Sequence, residues 1–317
     1  MKTRLVLVLA ALLLAPALTL SATRISIGTG SSGGVYFFVG NAMTSLLNKH
    51  MAGLNATPEP VTGSAHASKL VDSGDLALAL AEVATAYHGY RGSRKDFPKP
   101  LENIRFVMGG MASGQAPVVW ADSPIKSWAD IKGKRIATNS PASLAMVTPL
   151  LEMHGIEMSD VDHKTLNYTE QVSAMKDGNL DVAFMAPAPR NASVMDLGAR
   201  RAIRILGLAP DTAKEYARRY PHWSPITLKA GTYDGQKADV IMPAYHTAVI
   251  ANKDVDADLI YGIVKTVIEH NKEFGEMHES GKEFTVERTR DFLRQEMVPA
   301  PFHPGAERFW REKGVVK

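Results

Sequence analysis

The sequence predicts an α/β protein built as two lobes with a ligand cleft between them. Three observations carry this. Short apolar, β-branched runs alternate with amphipathic helical stretches from Ile25 onward, the pattern of parallel α/β layers. A strand, a small polar loop and a helix N-terminus occur at residues 25–36 and again at 135–144, one in each half of the chain. At 317 residues the length suits two lobes with a substantial core.

The chain starts Met1-Lys2-Thr3-Arg4, continues with an apolar run over residues 5–14 and reaches small residues at Ala15, Ala17, Ser21 and Ala22. That order reads as a secretory signal peptide over residues 1–22, and its apolar run is short of the ~20 residues that span a bilayer. An exported, periplasmic protein is expected. Removing the leader takes Lys2 and Arg4 with it, so the net charge of +3 falls to +1. No basic stripe interleaved with aromatics follows, so nucleic acid is not an expected partner. With no cysteine in the chain, disulfides, thiolate metal sites and cysteine nucleophiles are all excluded.

Residues 25–36, Ile-Ser-Ile-Gly-Thr-Gly-Ser-Ser-Gly-Gly-Val-Tyr, are the organising stretch. A β-branched strand runs into a glycine and serine loop, and Val35, Phe38, Val39, Ala42, Met43, Leu46 and Leu47 then make one helical stripe. Unsatisfied N–H groups at a helix start, the helix dipole and close backbone approach at glycine together make an anion cradle. Two sharper motifs overlap it. Gly28-x-Gly30-x-x-Gly33 resembles a dinucleotide fingerprint, but Asn48, Lys49 and His50 stand where the ribose acid belongs. Gly30-x-Ser32-x-Gly34 resembles a nucleophile elbow, which makes a secreted serine hydrolase using Ser32 an alternative; its Asp and His partners are not identified. A P-loop is excluded because no Gly-Lys-Ser/Thr ending is present.

Further along, a strand over 55–61 leads through Thr62-Gly63-Ser64 into a helix stopped near Gly74, and the run 76–80 reads as a strand covered on both faces. Val83, Ala86 and Tyr87 mark the next helix. Strands are expected over 104–108 and 117–120, joined through Gly109-Gly110 and Ser113-Gly114, where the chain first passes between lobes. A strand over 135–138 meets the loop Asn139-Ser140-Pro141-Ala142-Ser143 and a helix over 144–154. Tyr168 follows in a third such turn, with Thr169 as the expected cap. A strand over 180–185 leads into Ala186-Pro187-Ala188-Pro189. Strands over 203–208 and 244–251, helices over 210–220 and from Asp258, and a last helix after Phe302-His303-Pro304-Gly305, packed on the surface, complete the chain. Lobe 1 is expected to take residues 23–112 and 243–317, and lobe 2 residues 113–242.

Several motifs in order resemble the TAXI type of solute receptor, which serves tripartite ATP-independent periplasmic (TRAP) transporters. They are the loop and helix over 28–40, Thr62-Gly63-Ser64, Ser73-Gly74-Asp75-Leu76, the stretch Asp122-Ser123-Pro124-Ile125-Lys126-Ser127-Trp128, Lys176-Asp177-Gly178-Asn179-Leu180-Asp181, Ala230-Gly231-Thr232-Tyr233-Asp234-Gly235-Gln236 and Phe302-His303-Pro304-Gly305-Ala306. The resemblance implies a type II periplasmic-binding-protein fold and capture of a small organic anion, glutamate-like or a dicarboxylate. It also implies delivery to a sodium-coupled permease. Departures fall at the site: Ser31 and Ser32 replace Gly and Thr, Val35 replaces Thr, Phe38 replaces Pro, and Leu80-Ala81-Glu82 replaces a polar run.

Carboxylate capture is assigned to Ser31, Ser32, Gly33 and Tyr36, with Ser64 from the next unit. Asn139, Ser143, Tyr168 and Pro187 are assigned from the other half. Serines and Asn at helix entries serve equally well as caps, and Glu82 reads as solvated or as a partner for a ligand amine. The ten histidines show no metal motif on one helix face, so neither metal nor cofactor is expected. The reading is a monomeric binding protein and not an enzyme; a periplasmic sensing adaptor of the same fold is the other alternative.

Overall fold

The computed structural model describes residues 23–30, 35–188 and 190–317. The leader expected over residues 1–22, and with it Ser31, Ser32 and Gly33, lies outside the described residues. No helix among the described residues is long and apolar enough to cross a membrane.

The first half of the fold runs β1 (Thr23–Gly28), α1 (Val35–His50), β2 (Leu54–Glu59), α2 (Ser64–Ser73), β3 (Leu78–Glu82), α3 (Val83–Arg91) and β4 (Ile104–Trp120). There follow β5 (Arg135–Thr138), α4 (Pro141–Met153), β6 (Asp162–Thr165), α5 (Tyr168–Lys176), β7 (Val182–Ala188), α6 (Ala192–Arg200), β8 (Ile203–Ile205) and α7 (Pro210–Arg219). The short antiparallel pair β9 (Ile226–Leu228) and β10 (Val240–Met242) precedes β11 (Ala244–Asn252). Four helices close the chain: α8 (Ala257–Glu269), α9 (Asn271–Met277), α10 (Val286–Arg294) and α11 (Pro304–Glu312).

One nine-stranded sheet connects both halves in the order β2-β1-β3-β11-β4-β7-β5-β6, with β8 also on β4. β1, β2 and β3 are parallel, as are β7, β5 and β6, and β11 and β4 run antiparallel between them. Both ends therefore carry the βα units read from the sequence. The middle differs from expectation: the two strands placed over 104–108 and 117–120 are the single strand β4. Gly109 and Gly110 do not turn there. A Cβ on Gly109 would lie 2.7 Å from the Phe292 ring and one on Gly110 2.4 Å from the Phe284 ring, so these glycines make room for aromatic packing on the strand.

Period-two alternation explains the cores. Leu78 and Leu80 face one apolar cluster with Val39, Met43, Val264 and Trp310, and Ala79 and Ala81 face another with Val71, Phe106, Ile250 and Phe292. In the other half Val182 and Phe184 join Trp128, Ile136 and Leu150, while Ala183 and Met185 join Val118, Val194 and Met242. Both pairs show a sheet covered on two faces, which is why these strands read as continuous apolar runs. The first pair of clusters draws on residues 25–111 and 248–310, the second on 116–242.

Two local expectations are corrected. The stripe of α1 is buried from Val39 onward, but Val35 and Phe38 are 47% and 51% exposed, since they precede the point where α1 settles on the sheet. The last helix is not a surface element: Ala306, Phe309 and Trp310 are fully buried, and Trp310 Nε1 donates to the Val107 carbonyl at 2.7 Å.

Candidate functional site

The first strand–loop–helix unit is fixed at both ends of the glycine and serine loop. Thr29 is buried, its N–H donating to the Glu59 carbonyl at 2.9 Å and its hydroxyl to the same oxygen at 3.2 Å. On the helix side Gly40 lies against Thr29, where an added Cβ would be 2.3 Å from the threonine methyl. This close approach seats the second turn of α1 on the end of β1 and sets the position of Tyr36. The Thr247 hydroxyl donates to the Tyr36 oxygen at 2.8 Å. Burial pushes the Tyr36 hydroxyl well above the usual phenol range, so it remains a donor at any physiological pH.

Ser64 opens α2 behind Gly63, and its Oγ accepts the backbone N–H of Glu82 at 2.9 Å. Glu82 is neither solvated nor unengaged. It caps α3, accepting from Ala84 N–H at 3.0 Å, Thr85 N–H at 2.8 Å and the Thr85 hydroxyl at 2.6 Å. Burial raises its carboxyl above the ordinary range despite these bonds. In the sheet Glu82 is the register partner of Thr247, which places it next to the Tyr36 pair.

From the other half, Ser140 and not Asn139 or Ser143 caps α4, its hydroxyl accepting from Ser143 N–H at 3.1 Å. Asn139 reaches only the Ser140 hydroxyl, at 3.5 Å. The Ser143 side chain is thereby released from capping; it is fully buried and accepts from Gln115 Nε2. Tyr168 is the first residue of α5, and the cap is Asn167, in a reciprocal box with Glu170, rather than the Thr169 expected from the sequence. The longer reach of the Asn amide two residues ahead of Thr169 takes the bond to the Glu170 N–H. Burial pushes the Tyr168 hydroxyl up to about 12. Pro187 lies within β7 rather than in a loop after it, and its carbonyl accepts from the Tyr233 hydroxyl at 2.9 Å, so it anchors the loop over 230–236.

Three residues that sequence reasoning missed join these groups. Gln115 sits where the β4–β7 register shifts between Gly114 and Ala116, and its N–H leaves the ladder for the Pro243 carbonyl at 2.8 Å. Thr247 sits at a second shift, between His246 and Ala248 on the β11–β4 ladder. Such bulges re-aim side chains and favour functional sites. Tyr245, two residues from Thr247 and so on the same face of β11, has its hydroxyl buried beside that of Ser143, and burial first, then charge on Glu82, Tyr168 and Tyr36, pushes it above the usual phenol range. The structure thus brings together Tyr36, Ser64, Ser143 and Tyr168 from the expected set, with Glu82, Gln115, Tyr245 and Thr247 added. No sequence signal marks a bulge in a strand this apolar.

A ring stack joins α3 to the turn that precedes β9. His222 lies over Tyr87 with ring centroids 5.6 Å apart and edge-on to His88 at 5.4 Å, joining α3 to the turn Pro221–Trp223. Burial, then the neighbouring His88, lowers His222 to about 4; burial and the Arg288 guanidinium lower His246 to about 3. Both rings are neutral when folded and protonate near 6.5 when unfolded. Stability is therefore unaffected by them above pH 6.5 and is lost as pH falls from there toward 4, the unfolded chain binding more protons. Glu82 and Glu283, raised by burial, act in the opposite direction. The His222→Gln variant should therefore show a shallower fall of melting temperature between pH 6.5 and 4 than the parent; parallel curves would contradict the assigned burial of a neutral ring.

Comparison with known proteins bears on the fold. The fold matches the periplasmic aliphatic sulphonate binding protein SsuA of Escherichia coli at a TM-score of 0.53 and 13% identity, covering 91% of this chain and 78% of that one. A periplasmic sulfonate-binding protein SsuA from Methylobacillus flagellatus gives 0.54 and 15%, covering 93% and 88%. A Bacillus subtilis protein, YtmK, named as a probable amino-acid ABC transporter extracellular-binding protein, gives 0.51 and 13%, covering 83% and 97%. At these identities the likeness shows the fold: two-lobed, that of periplasmic solute-binding proteins. The neighbours are binding proteins by name, and the Methylobacillus flagellatus and Bacillus subtilis ones are named with an ABC transporter. A family model matches residues 27–314, nearly the whole described chain, and on that match the protein belongs to the NMT1-like family.

Proposed function

We propose that this protein is an exported receptor that captures a small organic anion between two lobes and delivers it to a membrane transporter. The carrying observation is the direction of the hydrogen bonds at the seam. Tyr36 accepts from Thr247, Ser64 accepts from the Glu82 N–H, and Ser143 accepts from Gln115. Ser64 and Ser143 take their bonds from N–H groups and keep their own protons, and the Tyr36–Thr247 pair spends only one of its two protons on its mutual bond, so each group has a proton left to give, at Ser143 directly or through the adjoining Tyr245. A set of neutral donors suits a group that only accepts, such as a carboxylate. The glycine and serine loop, Ser31, Ser32 and Gly33, would add backbone N–H groups at the start of α1.

In this reading lobe 1 takes residues 23–112 and 243–317 and lobe 2 residues 113–242; the division of the apolar clusters supports it. β4 and β11 are the crossings, and bound ligand biases the lobes toward closure. A carboxylate, glutamate-like or a dicarboxylate, is the proposed solute, and Pro187 and Asn139 act through the loops they hold rather than by contact. The proposed partner is a permease of the tripartite, sodium-coupled kind, supported by the ordered TAXI-like motifs.

Uptake into membrane vesicles carrying the partner permease tests both parts. Solute uptake that depends on this protein and on a sodium gradient supports the proposal. Uptake driven by ATP instead would assign the protein to an ABC transporter and overturn the partner. Ester turnover abolished by Ser32→Ala would overturn the binding-protein reading altogether.

A further inference from the structure

Remote from the seam, the C-terminal end of α1 meets the junction of α8 and α9. There His50, His270 and Glu273 place one ligand atom each within 4.8 Å of one another. His50 is the last residue of α1, and His270 links α8 to α9, its N–H donating to the Thr266 carbonyl at 3.0 Å and its carbonyl accepting from Phe274 N–H at 2.9 Å. Glu273 follows three residues later, on the same helical face. The His50 Nε2 lies 2.8 Å from Glu273 Oε2, and the two imidazoles stack with centroids 3.6 Å apart. All three side chains are half-buried at the edge of an open depression that Glu269 and Glu276 also line.

We propose that these three residues form a peripheral binding site for a divalent transition metal ion, Zn²⁺ being the best match. Two imidazole nitrogens and one carboxylate are a common zinc donor set, and the open side leaves a fourth position for water or for Glu269 or Glu276. Imidazole selects against Ca²⁺ and Mg²⁺, which take oxygen ligands. The two ring planes lie nearly parallel, 16° apart, so loading requires the rings to splay until one nitrogen of each converges on the ion. Lys49 is the built-in competitor. Its Nζ pairs with Glu273 Oε1 at 2.7 Å, and it must give up that carboxylate when the metal enters. The bound ion would join α1 to the α8–α9 junction, at the opposite end of α1 from Tyr36. A distant pair of positions, His50 and the His270-x-x-Glu273 spacing, is invisible as a motif because the chain separates its halves by more than two hundred residues.

Titration calorimetry and native mass spectrometry with Zn²⁺ on the untagged, full-length mature protein test the proposal. Expected are one ion per chain, at least tenfold weaker binding in His270→Ala and in Glu273→Gln, and tighter binding in Lys49→Gln, which removes the competing cation. Folding of each variant is checked by circular dichroism, and solute binding should be unchanged in all three. Binding of Zn²⁺ with equal affinity in His270→Ala and the parent, several ions without a defined stoichiometry, or no binding at all would each overturn the site.

Discussion

Replacing Tyr36 by phenylalanine together with Thr247 by valine is expected to weaken solute binding by about tenfold to a hundredfold while leaving the fold intact. The two hydroxyls bond to each other at 2.8 Å. Removing both partners of a buried hydrogen bond leaves no orphaned group, so stability should change by less than about 1 kcal/mol. A carboxylate seated at the seam, in contrast, loses the phenolic donor outright, and a hydrogen bond to a charged group contributes about 1.5–3 kcal/mol. Calorimetric affinity and urea midpoint measured on the same preparation separate the two effects. Equal affinity in the double variant and the parent would remove Tyr36 from the site. A collapse of stability alongside the lost affinity would make the pair a packing feature instead.

The largest effect on stability is expected at Trp310. This residue is fully buried on α11, stands edge-on to Phe309 with centroids 5.1 Å apart and donates to the Val107 carbonyl on β4. Trp310→Ala removes the largest side chain of that cluster and orphans a strand carbonyl, a combination that costs about 3–5 kcal/mol. Trp310→Phe retains most of the apolar volume and loses only the N–H, and should cost about 1–3 kcal/mol. Urea denaturation gives both values. A loss below about 1 kcal/mol in the alanine variant would mean that α11 is a surface helix, as the sequence had suggested, and not part of the core.

Much of the architecture is legible in the residues. The strand, polar loop and helix units at β1–α1, β2–α2 and β5–α4 follow from short strand-like runs, small loop residues and 3.6-residue spacing, and Gly74 ends α2 in the left-handed conformation that glycine adopts most readily. The rest depended on tertiary context. Gly109 and Gly110 carry the local signal of a turn, yet the rings of Phe284 and Phe292 arrive from far along the chain and make them strand residues. Phe302 to Trp310 reads as a terminal surface helix because the cluster it enters is assembled from β1, β3, β4 and α8. Asn167 outcompetes Thr169 as a cap, a difference of two residues that propensity alone does not resolve.

At the candidate site the same division holds. Tyr36, Ser64, Ser143 and Tyr168 are legible because each stands at a helix entry after a strand. Gln115 and Thr247 are not, because each sits at a register shift, on the β4–β7 and β11–β4 ladders, which no side-chain pattern announces, and Tyr245 shares the face of β11 with Thr247. Glu82 is a further case: a lone acid at the end of an apolar strand gives no hint that Ala84 and Thr85, two and three residues on, consume its bonds as a helix cap.

Native mass spectrometry of the purified protein tests the central claim most directly. A receptor whose seam presents neutral donors to an anion should carry one small organic acid per chain. That acid should raise the melting temperature of the stripped protein, since binding only to the folded state stabilises it by mass action. The Tyr36→Phe, Thr247→Val variant should fly without it. A bare mass for the parent, together with no thermal shift from carboxylates, sulfonates or amino acids, would contradict the account.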